Sequence, residues 1–124
     1  MISETRVHFI FTLFLTVVLL TSLHTGVYSN SEKSSVLVNL EANIDGGTVA
    51  YIERIISQYQ GRALVFRVNS YGGYLAAADK IVNTILEKNI ECYVWVPQGG
   101  FAVSAAALIS LACRRIYMGP GAVI

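Results

Sequence analysis

The chain has 124 residues, room for one domain at most once an N-terminal segment is set aside. Its 54% hydrophobic and 14% charged content excludes a disordered chain. A formal net charge of +1 with both signs scattered, and no basic stripe interleaved with aromatics, excludes nucleic acid as a partner.

Residues 1–29 read as a targeting segment. Arg6 precedes an apolar run over 7–20, and the more polar stretch beyond it ends in Val27-Tyr28-Ser29, small enough at its outer positions for signal-peptidase cleavage. Residues 7–28 are about 22 in number, long enough to span a bilayer, so a cleaved signal peptide and a retained anchor both fit. Either way the globular part is delivered across a membrane or held at one, outside the cytoplasm. Residues 30–34 form a polar linker, and 35–124 the domain.

Within the domain, 36–40 reads as a short strand and 43–47 as a turn in which Asp45 caps the next helix. Val49, Ile52, Ile55, Ile56 and Tyr59 recur at helical spacing over 48–59, and Gly61 stops that helix. Residues 63–68 are nearly all apolar, the pattern of a strand covered on both sheet faces, with Arg67 expected near its end. Asn69-Ser70-Tyr71-Gly72-Gly73 is a turn, 74–88 a second helix, 91–96 a third strand and 115–118 a fourth. Strands joined through helices predict an α/β fold with a mainly parallel sheet and right-handed crossovers.

The stretch between the third and fourth strands carries the chemistry. An apolar run stops at Pro97; Gln98-Gly99-Gly100-Phe101 forms a loop; small residues then surround Ser104. A serine in the first turn of a helix lies among N–H groups without intrahelical partners and could attack a carbonyl whose oxyanion a nearby N–H holds. The same residues also fit a buried Ala-rich helix with an incidental serine. What favours the first reading is topology: the 69–73 and 97–104 loops both lie past carboxyl strand ends, where parallel sheets bind ligands. His8 and His24 both lie in the N-terminal segment, so no Ser-His-Asp triad is complete within the domain. Cys92 and Cys113 lack metal-ligand spacing, and no metal or cofactor is expected. Cys113 is placed at the end of the serine helix, in a layer about 10 Å from the sheet. Two reduced, buried thiols are therefore expected in preference to a bridge.

Three motifs in order resemble the ClpP-like serine peptidases, and most closely the NfeD-type membrane-associated proteases, with signal peptide peptidase A as a cousin and the crotonases sharing the β-β-α spiral. They are Asn69-Ser70-Tyr71-Gly72-Gly73, Gly100-Phe101-Ala102-Val103-Ser104-Ala105-Ala106 and Ile116-Tyr117-Met118-Gly119-Pro120-Gly121. The resemblance implies Ser104 as nucleophile; Gly72, Gly73 and Ala105 as the oxyanion hole; and Tyr71, Gly99, Gly100 and Phe101 along the substrate cleft. It implies a peptide or membrane-protein substrate, a membrane, and a stomatin-like membrane protein as partners, with self-association left open. Tyr71 departs from the family's proline and Ala106 from its glycine. The relatives' general base is a lysine beyond the serine, and Ile124 is reached before that position; Lys80 and Lys88 match no catalytic position. The resemblance therefore implies an N-terminal piece of the domain, weak or inactive alone, because a serine without a base is a poor nucleophile. Two other readings stand beside it: a non-catalytic membrane-tethered assembly module, and a crotonase-like acyl-CoA-binding protein.

Overall fold

The computed structural model describes His8, residues 12–15 and residues 34–124, and divides into two compact units, Met1–Glu32 and Lys33–Ile124. In the first unit, residues 12–15 are helical and the Thr12 hydroxyl donates to the His8 carbonyl at 2.9 Å. The expected cleavage site at 27–29 and all of the linker but Ser34 lie outside the described residues. No helix among the described residues is long and apolar enough to cross a membrane.

The second unit alternates strand and helix throughout: β1 Val36–Leu40, α1 Gly46–Gln58, β2 Leu64–Val68, α2 Leu75–Glu87, β3 Cys92–Val96, α3 Ala105–Leu111 and β4 Arg115–Met118. All three pairings are parallel, in the order β1-β2-β3-β4. Asp45 caps α1 as expected: its carboxylate accepts the Thr48 N–H at 3.0 Å, which holds its pKa below the usual carboxylate value.

A sheet whose strands keep sequence order, joined by crossovers of one hand, gathers all its helices on one face. Accordingly α2 packs against both α1 and α3. The facing positions Val38, Phe66 and Val94 are in register and fully buried, in one core cluster with Ile52, Ile81 and Ile109 of the helices. This corrects the expectation that both faces of the 63–68 strand are covered. On the opposite face Val65 and Tyr93 are only half-buried, and Leu37, Trp95 and Tyr117 are exposed. Arg67, on that face, pairs with Glu41 and lies 5.5 Å from the centre of the Trp95 ring.

The cysteines also depart from expectation: Cys92 and Cys113 form a disulfide, with Cα atoms 5.0 Å apart. The helix after Ser104 is shorter than its apolar run suggested and ends at Leu111. Cys113 therefore lies not in the helix layer but in the turn that leads into β4. Its neighbour Arg114 already donates its N–H to the Cys92 carbonyl at 2.9 Å, so the two cysteines sit side by side at the start of the β3–β4 pairing. The layer spacing that argued against a bridge does not separate them.

Candidate active site at the carboxyl edge of the sheet

Beyond the carboxyl ends of the strands, the connecting loops add a second, short set of parallel contacts: Ile44 with Gly73, Ser70 with Ala102, and Phe101 with Val123. The 69–73 turn is thus held between the first loop on one side and the serine loop on the other. The Ser70 N–H donates to the Phe101 carbonyl at 2.7 Å, the Val103 N–H to the Ser70 carbonyl at 3.1 Å, and the Phe101 N–H to Asn69 Oδ1 at 3.1 Å. On the other side, the Ile44 N–H donates to the Gly72 carbonyl at 2.9 Å and the Tyr74 N–H to the Ile44 carbonyl at 2.8 Å.

The two glycines are required here by space. A Cβ on Gly72 would stand 2.7 Å from the Val103 oxygen and 2.9 Å from Ser104 Cβ, and Gly72 has a φ of 105°. A Cβ on Gly73 would stand 2.6 Å from the Ile44 nitrogen. Gly72 is therefore packed directly against the serine, and the two loops that topology directed to one edge do meet.

Ser104 is exposed and immediately precedes α3, with φ 54° and ψ −118°. These are the dihedrals of the first central residue of a type II′ turn, where glycine is the usual occupant. A non-glycine residue held there is strained, and such strain clusters at functional sites. The Ser104 side chain does not cap α3, and among the described residues its hydroxyl has no hydrogen-bond partner. Among the described residues the N–H groups of Gly73 and Ala105 are likewise free of intramolecular hydrogen bonds. The Gly72 N–H is not: it donates to Ser70 Oγ at 3.1 Å. Of the three donors expected from the sequence, Gly73 and Ala105 are available and Gly72 is committed, its contribution being the close approach that only glycine permits.

Ser70, 4% exposed, is the residue that sequence reasoning missed. Its hydroxyl donates to the Ala42 carbonyl at 2.8 Å while accepting from Gly72, so one buried group ties its own turn to the first loop. The signal available was a hydroxyl inside the turn that follows an apolar strand, two residues before a glycine pair.

Tyr71 and Phe101 stack across the two loops, ring centres 4.7 Å apart, and line a cleft of about 390 Å³ together with Glu41, Ala42, Asn43, Asn69 and Ser70. Gly99 and Gly100, also expected along a cleft, do not line this one. They turn the chain toward its last residues: the Gly99 N–H donates to the Pro120 carbonyl, and Gly100 packs on Pro97 and accepts from the Val123 N–H. Lys80 pairs with Glu53 at 3.6 Å, and Lys88 caps the end of α2 remote from Gly73. Among the described residues no cluster of His, Cys, Asp and Glu could hold a metal ion.

The profile of one protein family, "NfeD1b, N-terminal domain", matches residues 35–124. The chain belongs to the NfeD1b family. Solved structures of the 1510-N membrane-bound stomatin-specific protease share its fold at a TM-score of 0.64 and 26% identity, over 72% of this chain. One is a serine-to-alanine variant, covered over 45% of its length. Another is a lysine-to-alanine variant in complex with a substrate peptide, covered over 43%. A third, a membrane protease specific for a stomatin homolog from Pyrococcus horikoshii, matches at a TM-score of 0.62 and 26% identity, over 72% of this chain and 47% of its own. The chain thus spans less than half the length of each of these proteins. Comparison of the sequence with curated proteins finds no match. The four-stranded parallel sheet with its helices is the ClpP-like NfeD fold, and the NfeD1b domain here is protease-related in architecture.

Proposed function

We propose that the NfeD1b domain of this chain carries the nucleophile and oxyanion hole of a membrane-associated ClpP-class serine endopeptidase. Ser104 Oγ attacks the peptide carbonyl, and the Gly73 and Ala105 N–H groups receive the oxyanion. The observation that carries the reading is the conformation of Ser104: an exposed residue at φ 54°, packed on Gly72, with two N–H groups unpaired among the described residues on the loops that meet there. A structural serine gains nothing from that strain, whereas pre-placed donors that need no reorganisation are what an acyl-transfer site requires.

The attack forms a bond from Ser104 Oγ to the carbonyl carbon, and the hydroxyl proton must leave to a base. Residues 34–124 contain no histidine, and their two lysines are Lys80, paired with Glu53, and Lys88, at the far end of α2. On this reading a lysine or histidine base is supplied from outside residues 34–124, and residues 34–124 by themselves would keep only the residual rate of binding and oxyanion stabilisation. Residues 1–29 act as signal peptide or anchor, and the domain works outside the cytoplasm; the Cys92–Cys113 disulfide fits such an oxidising compartment. The substrate is a peptide segment of a membrane protein, with a stomatin-like protein the first candidate, since that is the specificity the solved relatives are named for. The bare Ser104 hydroxyl favours one second reading, a membrane-tethered assembly module without catalysis.

A fluorophosphonate probe separates the two. Slow labelling of the full chain that disappears in Ser104→Ala supports the peptidase reading. Labelling that is absent, or identical in the two proteins, leaves the assembly module.

A further inference from the structure

We propose that Tyr71 and Phe101 are a positioning pair, a cross-loop aromatic clasp that sets the separation of the Gly73 and Ala105 N–H groups. Its functional meaning rests on the peptidase reading of the site; its physical content does not. Tyr71 immediately precedes the glycine pair, and Phe101 stands three residues before Ser104. Their rings are 4.7 Å apart and 24° from parallel, and Tyr71 is 73% exposed. An aromatic residue so exposed buries little surface against the core, so its principal contact is the stack itself. The loops beneath the rings join through the Ser70–Ala102 bridge and the bond from the Phe101 N–H to Asn69. Past that point the turn runs into two consecutive glycines, the residues with the most backbone freedom to lose.

Hydrogen bonds fix the turn at Ser70, whose hydroxyl also accepts from the Gly72 N–H, and the Ile44 N–H holds the Gly72 carbonyl. Tyr71 lies between Ser70 and Gly72 with no backbone bond of its own to the loop that carries Ser104, and its ring stacks on Phe101 of that loop. Offset stacking has a preferred geometry and does not depend on the tyrosine hydroxyl. The clasp therefore predicts that the ring matters and the hydroxyl does not, and that loosening it is felt at the amides of both loops while the sheet stays unchanged.

The test is amide hydrogen exchange and chemical shift by NMR on the full chain, comparing Tyr71→Phe, Tyr71→Ala and Phe101→Leu with the unmodified protein. In Tyr71→Ala and Phe101→Leu, exchange at the Gly72 and Phe101 amides rises by roughly fivefold, the scale of one aromatic pair. The Gly73 and Ala105 amide shifts move with it, while Val38 and Val94 exchange as before. Tyr71→Phe restores the original values, which a hydroxyl-dependent role would not do. The clasp is overturned if Tyr71→Ala leaves all four loop amides unchanged, if Tyr71→Phe behaves like Tyr71→Ala, or if core amides accelerate equally. If Ser104 takes up no phosphonate in any variant, the peptidase reading falls, while the amide measurements still decide the clasp.

Discussion

Removing the disulfide tests the placement of Cys113 in the turn rather than in the helix. The bridge joins positions 21 apart and encloses β3, the serine loop and α3. In the chain-entropy description, closing a loop of that size removes about 11 cal/mol/K from the unfolded ensemble, or about 3 kcal/mol at 25 °C. For a domain of this size each kcal/mol is worth roughly 4–8 °C, so reduction should lower the melting temperature by about 12–24 °C. The measurement is a thermal melt monitored by circular dichroism, with and without a phosphine reductant. A Cys92→Ala/Cys113→Ala variant serves as control: it should melt near the reduced protein and ignore the reductant. A shift under about 3 °C, or two free thiols per chain on titrating the denatured, unreduced protein, would refute the bridge and the turn geometry behind it.

Four further outcomes are expected of the site and its supports. Ser104→Gly should stabilise the domain by about 1 kcal/mol, because glycine occupies φ 54° without strain, and should abolish phosphonate labelling; a lower urea midpoint would contradict the strain. Gly73→Ala should cost more than about 2 kcal/mol in urea unfolding, since its Cβ meets the Ile44 backbone; a loss under about 0.5 kcal/mol would show that the contact yields. Ser70→Ala leaves the Gly72 N–H buried without its acceptor and should cost about 1–3 kcal/mol, whereas Ser70→Thr should recover part of it if the hydroxyl is the reason. Asp45 has its pKa depressed in the folded chain, so its stabilising contribution is present above the unfolded value and is lost as pH falls through the folded one. The difference in urea midpoint between the unmodified chain and Asp45→Ala should therefore shrink below about pH 4, and a constant difference down to about pH 2 would rule out the ionised cap.

Much of the fold was legible because it is written in short-range pattern. Ile52, Ile55 and Ile56 at helical spacing, the apolar run of 64–68 and the glycines beyond the strand ends are local signals, and α1, β2 and the 69–73 turn arise from them. Alternation of strand and helix implied a parallel sheet, and a parallel sheet brings successive strand-end loops to one edge. The position of Ser104 beside Gly72 was therefore already implicit in the order of elements, and their close packing is its outcome.

What the tertiary structure alone decided are the contacts between segments far apart in sequence. Whether Val65 and Tyr93 face helices or solvent depends on the strand order, and sequential order put every helix on the other face. A polar residue's partner is invisible to periodicity: Ser70 reaches the Ala42 carbonyl and also takes the Gly72 N–H away from any ligand. The positive φ of Ser104 arises because the chain must turn from the Ser70–Ala102 bridge into α3 within two residues. The disulfide hinged on where α3 stops: an apolar run continues past Leu111, but the helix ends where the chain must return to β3, and that return brings Cys113 to Cys92. Local sequence sets which conformations are favourable, whereas the end of a helix and the destination of a hydrogen bond are set by what the rest of the chain has already brought near.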